Sequence, residues 1–481
     1  MAKAGRDRFF EEYPAALADD AGGIFVGAGV SVGAGYPSWV ELLHEIGEEL
    51  GVNSGDVHDL AALAQWSVQS SGSKTRIRKV IRDNIKPDHD IPESLRIIAR
   101  LPVRHIWTTN YDRLIERSFD EIRRPIDVIS APGDLSIRAR PGASRLYKMH
   151  GSIDRLDDLV ISTDDYELYR SKRGAFLPLL QAHLTGMSIL FVGLSFTDPN
   201  IRHVLSLIRE SFTEAPPEHF AIVKPPQRKD FRSDEEYQAR HTQHSLWARD
   251  LRRYGLIAVE IDDYNEVPEL LRQIERRVAR RRVWVSGSWP VGMRDLKISK
   301  IYDVADGIGK AVGNLDMTLV TGAGLVVGSA TIAGFLDALR ASGSWDLERR
   351  MIARPFPQPL EGETPDRTQW TKLRQELARL SGTIVFVGGS NLLKGDMVLA
   401  DGVLQEKELA QAEGAFLLPV GATGGAAKAI ADELIGSGLS SSGESALRPT
   451  DAELISLSDD ALDANALVVI VKKILRRIAK K

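Results

Sequence analysis

The chain contains no cysteine. That absence excludes disulfides, thiolate nucleophiles, iron–sulfur clusters and every cysteine-ligated zinc site. Histidine is scarce and unevenly placed: all ten lie at or before His244. Residues 245–481 therefore hold neither His nor Cys and are poorly equipped for acid–base work near neutral pH or for transition-metal binding. No run of 18 or more apolar residues occurs, and the first residues (MAKAGRDRFFEEYP) form no apolar signal region. A cytoplasmic protein with no membrane partner is expected. Excess charge is lacking too: 62 basic against 66 acidic residues give a net charge of −4. Such a balance has no basic footprint for nucleic acid.

What is present is the material of large α/β domains. The 481 residues are 43% hydrophobic, enough for more than one core. Short apolar runs that stop at small or polar residues recur along the chain. They are Gly23–Gly27, His105–Thr109, Arg145–Met149, Ser188–Gly193, Phe220–Val223 and Gly255–Ile261. Spaced by helical stretches such as Pro37–Leu50, they predict a buried parallel sheet covered on both faces. The rhythm restarts at Val283–Ser288 and continues at Met317–Gly324, Gly382–Gly389 and Gly414–Gly421. Two Rossmann-like domains are predicted, 1–283 and 284–481. The basic tract Ile274–Arg282 reads as a solvated helix before a linker, and Ser437–Ser445 as a surface loop. Ala461–Lys481 reads as a terminal helix whose basic end complements its dipole.

Four strand ends in the first domain carry candidate chemistry. Gly27-Ala28-Gly29-Val30-Ser31 would let a backbone approach a pyrophosphate at a helix start. Asn110, in Thr108-Thr-Asn-Tyr-Asp112, can hold a water or a ribose hydroxyl through its amide, or simply cap a helix. His150-Gly151-Ser152 places a histidine where α/β sheets bind ligands. Val192–Asn200 ends its strand in small polar residues, including Gly193 and Ser195.

Together and in this order, the four motifs resemble the sirtuin-type NAD-binding domain, over about residues 23–200. The absence of cysteine departs from sirtuin deacylases, which carry a four-cysteine zinc ribbon. The closer likeness is to defence-associated sirtuin-like domains that hydrolyse NAD+. In the second half, Val283-Trp-Val-Ser-Gly-Ser288 and Leu319-Val-Thr-Gly-Ala-Gly-Leu325 resemble the SLOG family. A sirtuin-like domain followed by a SLOG domain is the architecture of NADase effectors of the Thoeris anti-phage systems.

That resemblance implies an NAD+ glycohydrolase that needs no metal or prosthetic group. It implies Asn110 and His150 as catalytic residues, with Gly27, Ala28, Gly29, Ser31, Asp112, Gly193 and Ser195 around the dinucleotide. It further implies a homotetramer whose SLOG domain binds a cyclic ADP-ribose isomer made by a TIR-domain partner. Gly287, Ser288, Gly322 and Gly324 would face that signal. Arg354, Arg367, Lys394 and Glu406 are the charged candidates for its phosphates, riboses or base, the arginine fork suiting phosphate best. Three alternatives stay open: an NAD-dependent protein deacylase, a non-catalytic nucleotide sensor, and a phosphoribohydrolase working through the second domain.

Overall fold

The computed structural model describes residues 2–86, 89–196, 199–211, 217–290, 296–344, 347–357, 366–435 and 446–479. The chain divides into two compact units, Met1–Glu275 and Arg276–Lys481. The helix Val267–Arg280 spans this division. Its last turn already bonds to the second unit, where Ala279 accepts from the Gly382 amide and Arg280 from the Thr383 hydroxyl. The segment Ser437–Ser445 lies outside the described residues.

The first unit is built on seven strands: β1 Gly22–Val26, β2 His105–Thr108, β3 Ile126–Ile129, β4 Ser144–Lys148, β5 Ser188–Val192, β6 His219–Val223 and β7 Leu256–Glu260. They lie in the order β3-β4-β2-β1-β5-β6-β7, every neighbouring pair parallel. β1, β5 and β6 are buried at every residue, because helices cover both faces. Phe25, Trp107, Tyr147 and Phe191 pack on the helix Phe176–Gly186, while Phe9 of the helix Ala2–Ala18 meets Phe220 on the other face. The edge strand β3 escaped the sequence reading. Its pattern, Ile-Asp-Val-Ile, buries only its two ends and lacks the continuous apolar run of a central strand.

The predicted helix Pro37–Leu50 is two short helices, Trp39–Leu42 and His44–Glu49. The first is opened by a reciprocal capping box between Ser38 and Glu41. They belong to a helical segment, up to about residue 85, with a small core around Leu43, Leu63 and Ile81.

The second unit repeats the architecture with five parallel strands. These are β8 Arg282–Ser286, β9 Thr318–Thr321, β10 Met351–Ala353, β11 Thr383–Val387 and, after an antiparallel hairpin of β12 Ser390–Leu393 and β13 Asp396–Leu399, β14 Phe416–Val420. Their order is β10-β9-β8-β11-β14. Alternate residues feed two cores: Val283, Val285 and Val385 on one face, Trp284, Ile384 and Phe386 on the other. The C-terminal helix Ala464–Ala479 buries Leu467, Val471, Ile474, Leu475 and Ile478 in the first of these. Its apolar stripe is thus core-facing. No helix among the described residues is long and apolar enough to cross a membrane.

The buried His219 and the half-buried His183 make the first unit acid-sensitive. His219 accepts the Ile189 amide through Nδ1, and burial pushes its pKa down to about 4. His183 accepts the Trp107 indole N–H, and burial with His105 nearby brings it to about 4 as well. An unfolded histidine takes up its proton near 6.5, so the folded state falls behind as pH drops from there toward 4. Between pH 6.5 and 5, His219 alone should withdraw about 2 kcal/mol of stability. Urea midpoints of the wild type should fall across that range, and those of His219→Asn should fall less. Parallel profiles would show that His219 does not carry the effect.

Candidate active site

Because every strand of the first sheet is parallel, the four motifs emerge on one edge. The chain leaves β1 toward β2 on one side and returns as β5 on the other, so the crevice between β1 and β5 is a topological switch point. The glycines close that crossing. The Gly27 amide donates to the Val192 carbonyl at 2.8 Å, and the Gly29 amide to the Gly193 carbonyl at 2.9 Å. A Cβ on Gly27 would lie 2.3 Å from the Gly193 oxygen, and Gly193 itself has φ +69°. These two amides serve the protein's own backbone. The helix that follows, Ala28–Gly33, has only six residues.

Asn110 and its neighbours form a directed chain of hydrogen bonds. The Asn110 Nδ2 donates to the Gly27 carbonyl at 3.1 Å and to Ser31 Oγ at 2.9 Å. Ser31 in turn donates to Asp112 Oδ2 at 2.7 Å, while Asp112 Oδ1 accepts the Leu114 amide at 2.9 Å. With its NH2 spent on two acceptors, the amide turns Oδ1 away, and this buried oxygen has no hydrogen-bond partner. An orphaned acceptor in a cavity wall is costly unless a ligand or water fills it.

His150 is buried, its ring edge-on to Tyr166 at 5.5 Å. The turn after it is clamped. Gly151 has φ +91°, and a Cβ there would sit 2.6 Å from the Asp158 carbonyl. The buried Arg173 donates to the Ser130 carbonyl at 2.7 Å and pairs with the Asp158 carboxylate at 2.6 Å.

Asn110, Asp112, His150, Gly193 and Ser195 line one cavity of about 1190 Å³, with Ala28, Gly29 and Ser31 beside them. That exceeds the usual 300–1,000 Å³ of small-molecule sites and has room for a dinucleotide. Gly27 stands behind the wall. The lining contributed by the helical segment is largely apolar and includes Trp39, Leu42 and Leu60. Among the described residues no group of three or more His, Asp or Glu is arranged to hold a metal ion.

A SIR2-like domain model matches residues 104–245, and the model of the Sir2- and TIR-associating SLOG family matches residues 266–478. The NAD(+) hydrolase ThsA of Bacillus cereus (strain MSX-D12) is 33% identical over 421 residues, 87% of each chain. The ThsA of Enterococcus faecium is 33% identical over 419 residues, 85% of this chain and 86% of its own. That of Cytobacillus dafuensis is 30% identical over 439 residues, 89% and 88% of the two chains. The chain belongs to the ThsA family of NAD(+) hydrolases.

In the SLOG domain of this ThsA-family chain, Gly287, Ser288, Gly322 and Gly324 all follow the carboxyl ends of β8 and β9. Gly287 presses on β11, where a Cβ would meet the Val387 oxygen at 1.9 Å, and Gly322 leaves room for the Phe356 ring. Ser288 donates to the Ser390 carbonyl at 3.3 Å. The charged candidates separate. Glu406 is buried, accepts from Ser286 and, at 3.2 Å, from Arg374; burial pushes its carboxyl up. Arg354 pairs with Glu376 at 2.6 Å on an exposed face. Arg367 begins the helix Arg367–Leu380 and Lys394 sits in the β12–β13 turn, both exposed. Arg354 directly follows β10, its amide donating to the Thr321 carbonyl at 2.9 Å, and Arg374, inside the helix Arg367–Leu380, packs over Phe356 and Trp370 at 5.3 and 5.6 Å.

Sequence reading overlooked Arg374, as it did Lys148. Lys148 is fully buried under the Asn110 loop, donating to the Asp112 carbonyl and, at 2.8 Å, to Glu116. A charge inside an otherwise apolar strand run was the available signal, since burial is tolerated only for a paired ion. Lys148→Met leaves Glu116 uncompensated and should cost about 3–5 kcal/mol by urea denaturation. Lys148→Met with Glu116→Leu should recover much of that stability without recovering NAD+ turnover, because the loop loses its anchor. Full activity in the double variant would show that the lysine does not hold the loop.

Proposed function

We propose that this chain hydrolyses the bond between nicotinamide and ribose in NAD+, releasing nicotinamide and ADP-ribose. The observation that carries the reading is a dinucleotide-sized cavity lined by His150 and by Asn110, whose buried Oδ1 has no hydrogen-bond partner. The C1′–N bond breaks with its electron pair going to the positively charged nicotinamide, which leaves neutral and needs no acid. The ribose passes through an oxocarbenium-like state of the kind met in glycoside hydrolysis. A water then adds to C1′ and gives up a proton. Asn110 Oδ1 accepts a hydrogen bond from that water or from a ribose hydroxyl, and His150 takes the proton. Ser31 and Asp112 hold the asparagine in register. Gly27, Ala28, Gly29, Gly193 and Ser195 shape the crossing where the pyrophosphate lies.

The second domain is read as the switch. A cyclic ADP-ribose isomer, supplied by a TIR-domain partner on infection, binds over the ends of β8, β9 and β11. Gly287, Ser288, Gly322 and Gly324 allow close approach, and Arg354, Arg367 and Lys394 are the further cationic candidates. Arg374 and Glu406 form the charged base of the site; the aromatic stacking of Arg374 supports placing it there. The chain works as a homotetramer in the cytoplasm, and NAD+ loss stops phage propagation. A signal must favour the active state about ten-thousand-fold to turn such a switch from off to on.

Purified protein should consume NAD+ when a matching cyclic ADP-ribose isomer is added. Asn110→Ala and His150→Ala should each abolish turnover while the folded state and signal binding persist. Retention of full turnover in both would refute the assignment. Arg374→Lys should raise the signal concentration needed for half-activation without changing the rate at saturation, because lysine loses the planar stack. A lowered saturated rate would place Arg374 on the catalytic path instead.

A further inference from the structure

The proposed reaction pins one end of the substrate only. Asn110 and His150 follow β2 and β4, so the nicotinamide ribose lies on that side of the β1–β5 crossing. The pyrophosphate crosses at the switch point, and the adenosine must extend over β5, β6 and β7. Strands are spaced about 4.8 Å apart, which puts the end of β6 roughly 10 Å beyond β1.

The cavity wall on that side differs in charge from the other. Lys224, directly after β6, is the single Lys or Arg among the described residues lining the cavity. The carboxylates of the lining are Asp59 in the helical segment, Asp112 after β2, and Glu93, which is already paired with Arg272 at 3.5 Å. Lys224 is held in place. Its ammonium lies 5.6 Å from the centre of the Tyr264 ring and 3.7 Å from Asp263, with the side chain one-fifth exposed. Asp263 accepts the Asn265 amide at 2.9 Å through Oδ1 and turns Oδ2 to Lys224, which orients the ammonium. His244, also in this wall, is kept below its ordinary pKa by burial. An adenosine ribose on this side thus meets a fixed ammonium in the cavity lining, with one carboxylate behind it.

NAD-selective sites commonly place a carboxylate against the 2′-hydroxyl, whereas a cation accommodates a 2′-phosphate. We infer that the site takes NADP+ as well as NAD+, with Lys224 the residue that receives the 2′-phosphate. This rests on the hydrolase reading and deepens it. The bonds that break and form are the same: water adds at C1′ of the nicotinamide ribose, nicotinamide leaves, and the 2′-phosphate stays on the product. A phosphate adds about −1.5 to −2 charges at pH 7, and an ammonium pairs with it as a point charge.

The test compares initial rates on NAD+ and NADP+ with the full chain, under the conditions that give NAD+ turnover. The wild type should use NADP+ with a kcat/KM within about tenfold of that for NAD+. Lys224→Met should lower NADP+ efficiency about tenfold or more through KM, leave NAD+ within about threefold, and Lys224→Arg should restore NADP+. Wild-type hydrolysis of NAD+ with rejection of NADP+ would overturn the inference and leave the hydrolase reading standing. Equal losses on both substrates in Lys224→Met would also overturn it, placing the lysine at the shared pyrophosphate. No turnover of either substrate in any condition would overturn both readings.

Discussion

Much of the first domain's chemistry depends on which way one amide points. Asn110 donates to a backbone carbonyl and to Ser31, and Ser31 can donate only because Asp112 is there to accept. The direction of the chain starts from its two ends: the Gly27 carbonyl can only accept, and Asp112 Oδ2 accepts from Ser31. What remains is a buried carbonyl oxygen without a hydrogen-bond partner, on a residue that lines the cavity. In a site with little water, such a preorganised dipole acts with more force than it would in solvent. The loop that carries it is tied from beneath by the Lys148–Glu116 pair, so the amide's position is inherited from β4 as well as from β2.

The glycines serve this arrangement by bringing backbones together. Gly27 and Gly193 allow β1 and β5 to end in mutual contact, closer than any side chain would permit. Gly151 performs the same service for the turn after His150. Strain at these points is avoided by the absence of a Cβ. The crevice is therefore a consequence of parallel strands that part company at a crossing sealed by backbone hydrogen bonds.

The second domain uses the same scaffold for different chemistry. Its strand ends carry glycines, a buried glutamate and an arginine stacked on two aromatic rings. With neither histidine nor cysteine after residue 244, it is equipped to recognise charge and shape. The pairing of Arg374 with Glu406 also shows why spotting charges in a sequence is not enough. Arg354, Arg367 and Arg374 look equivalent as letters, yet Arg367 ends on an exposed surface, Arg354 is half-buried after β10 and paired with Glu376, and only Arg374 meets the buried Glu406.

The central strands, both parallel sheets and the four motifs of the first domain were legible from the amino acids alone. Long apolar runs ending in glycine or a small polar residue demand burial on both faces, and parallel strands bring their carboxyl ends to one edge. The edge strands β3 and β10 and the broken helix near Leu43 were not legible, since short or alternating patterns are decided by neighbours. Nor was the helical segment's role as the cavity's apolar wall. The absence of cysteine excluded a zinc ribbon, and the order of motifs pointed to the family, before any fold was known. Tertiary structure alone decided which charges are buried and what they hold. Lys148, Arg374 and Lys224 owe their roles to partners between 30 and 40 residues away in sequence, and burial strengthens only the pairs that folding brings together.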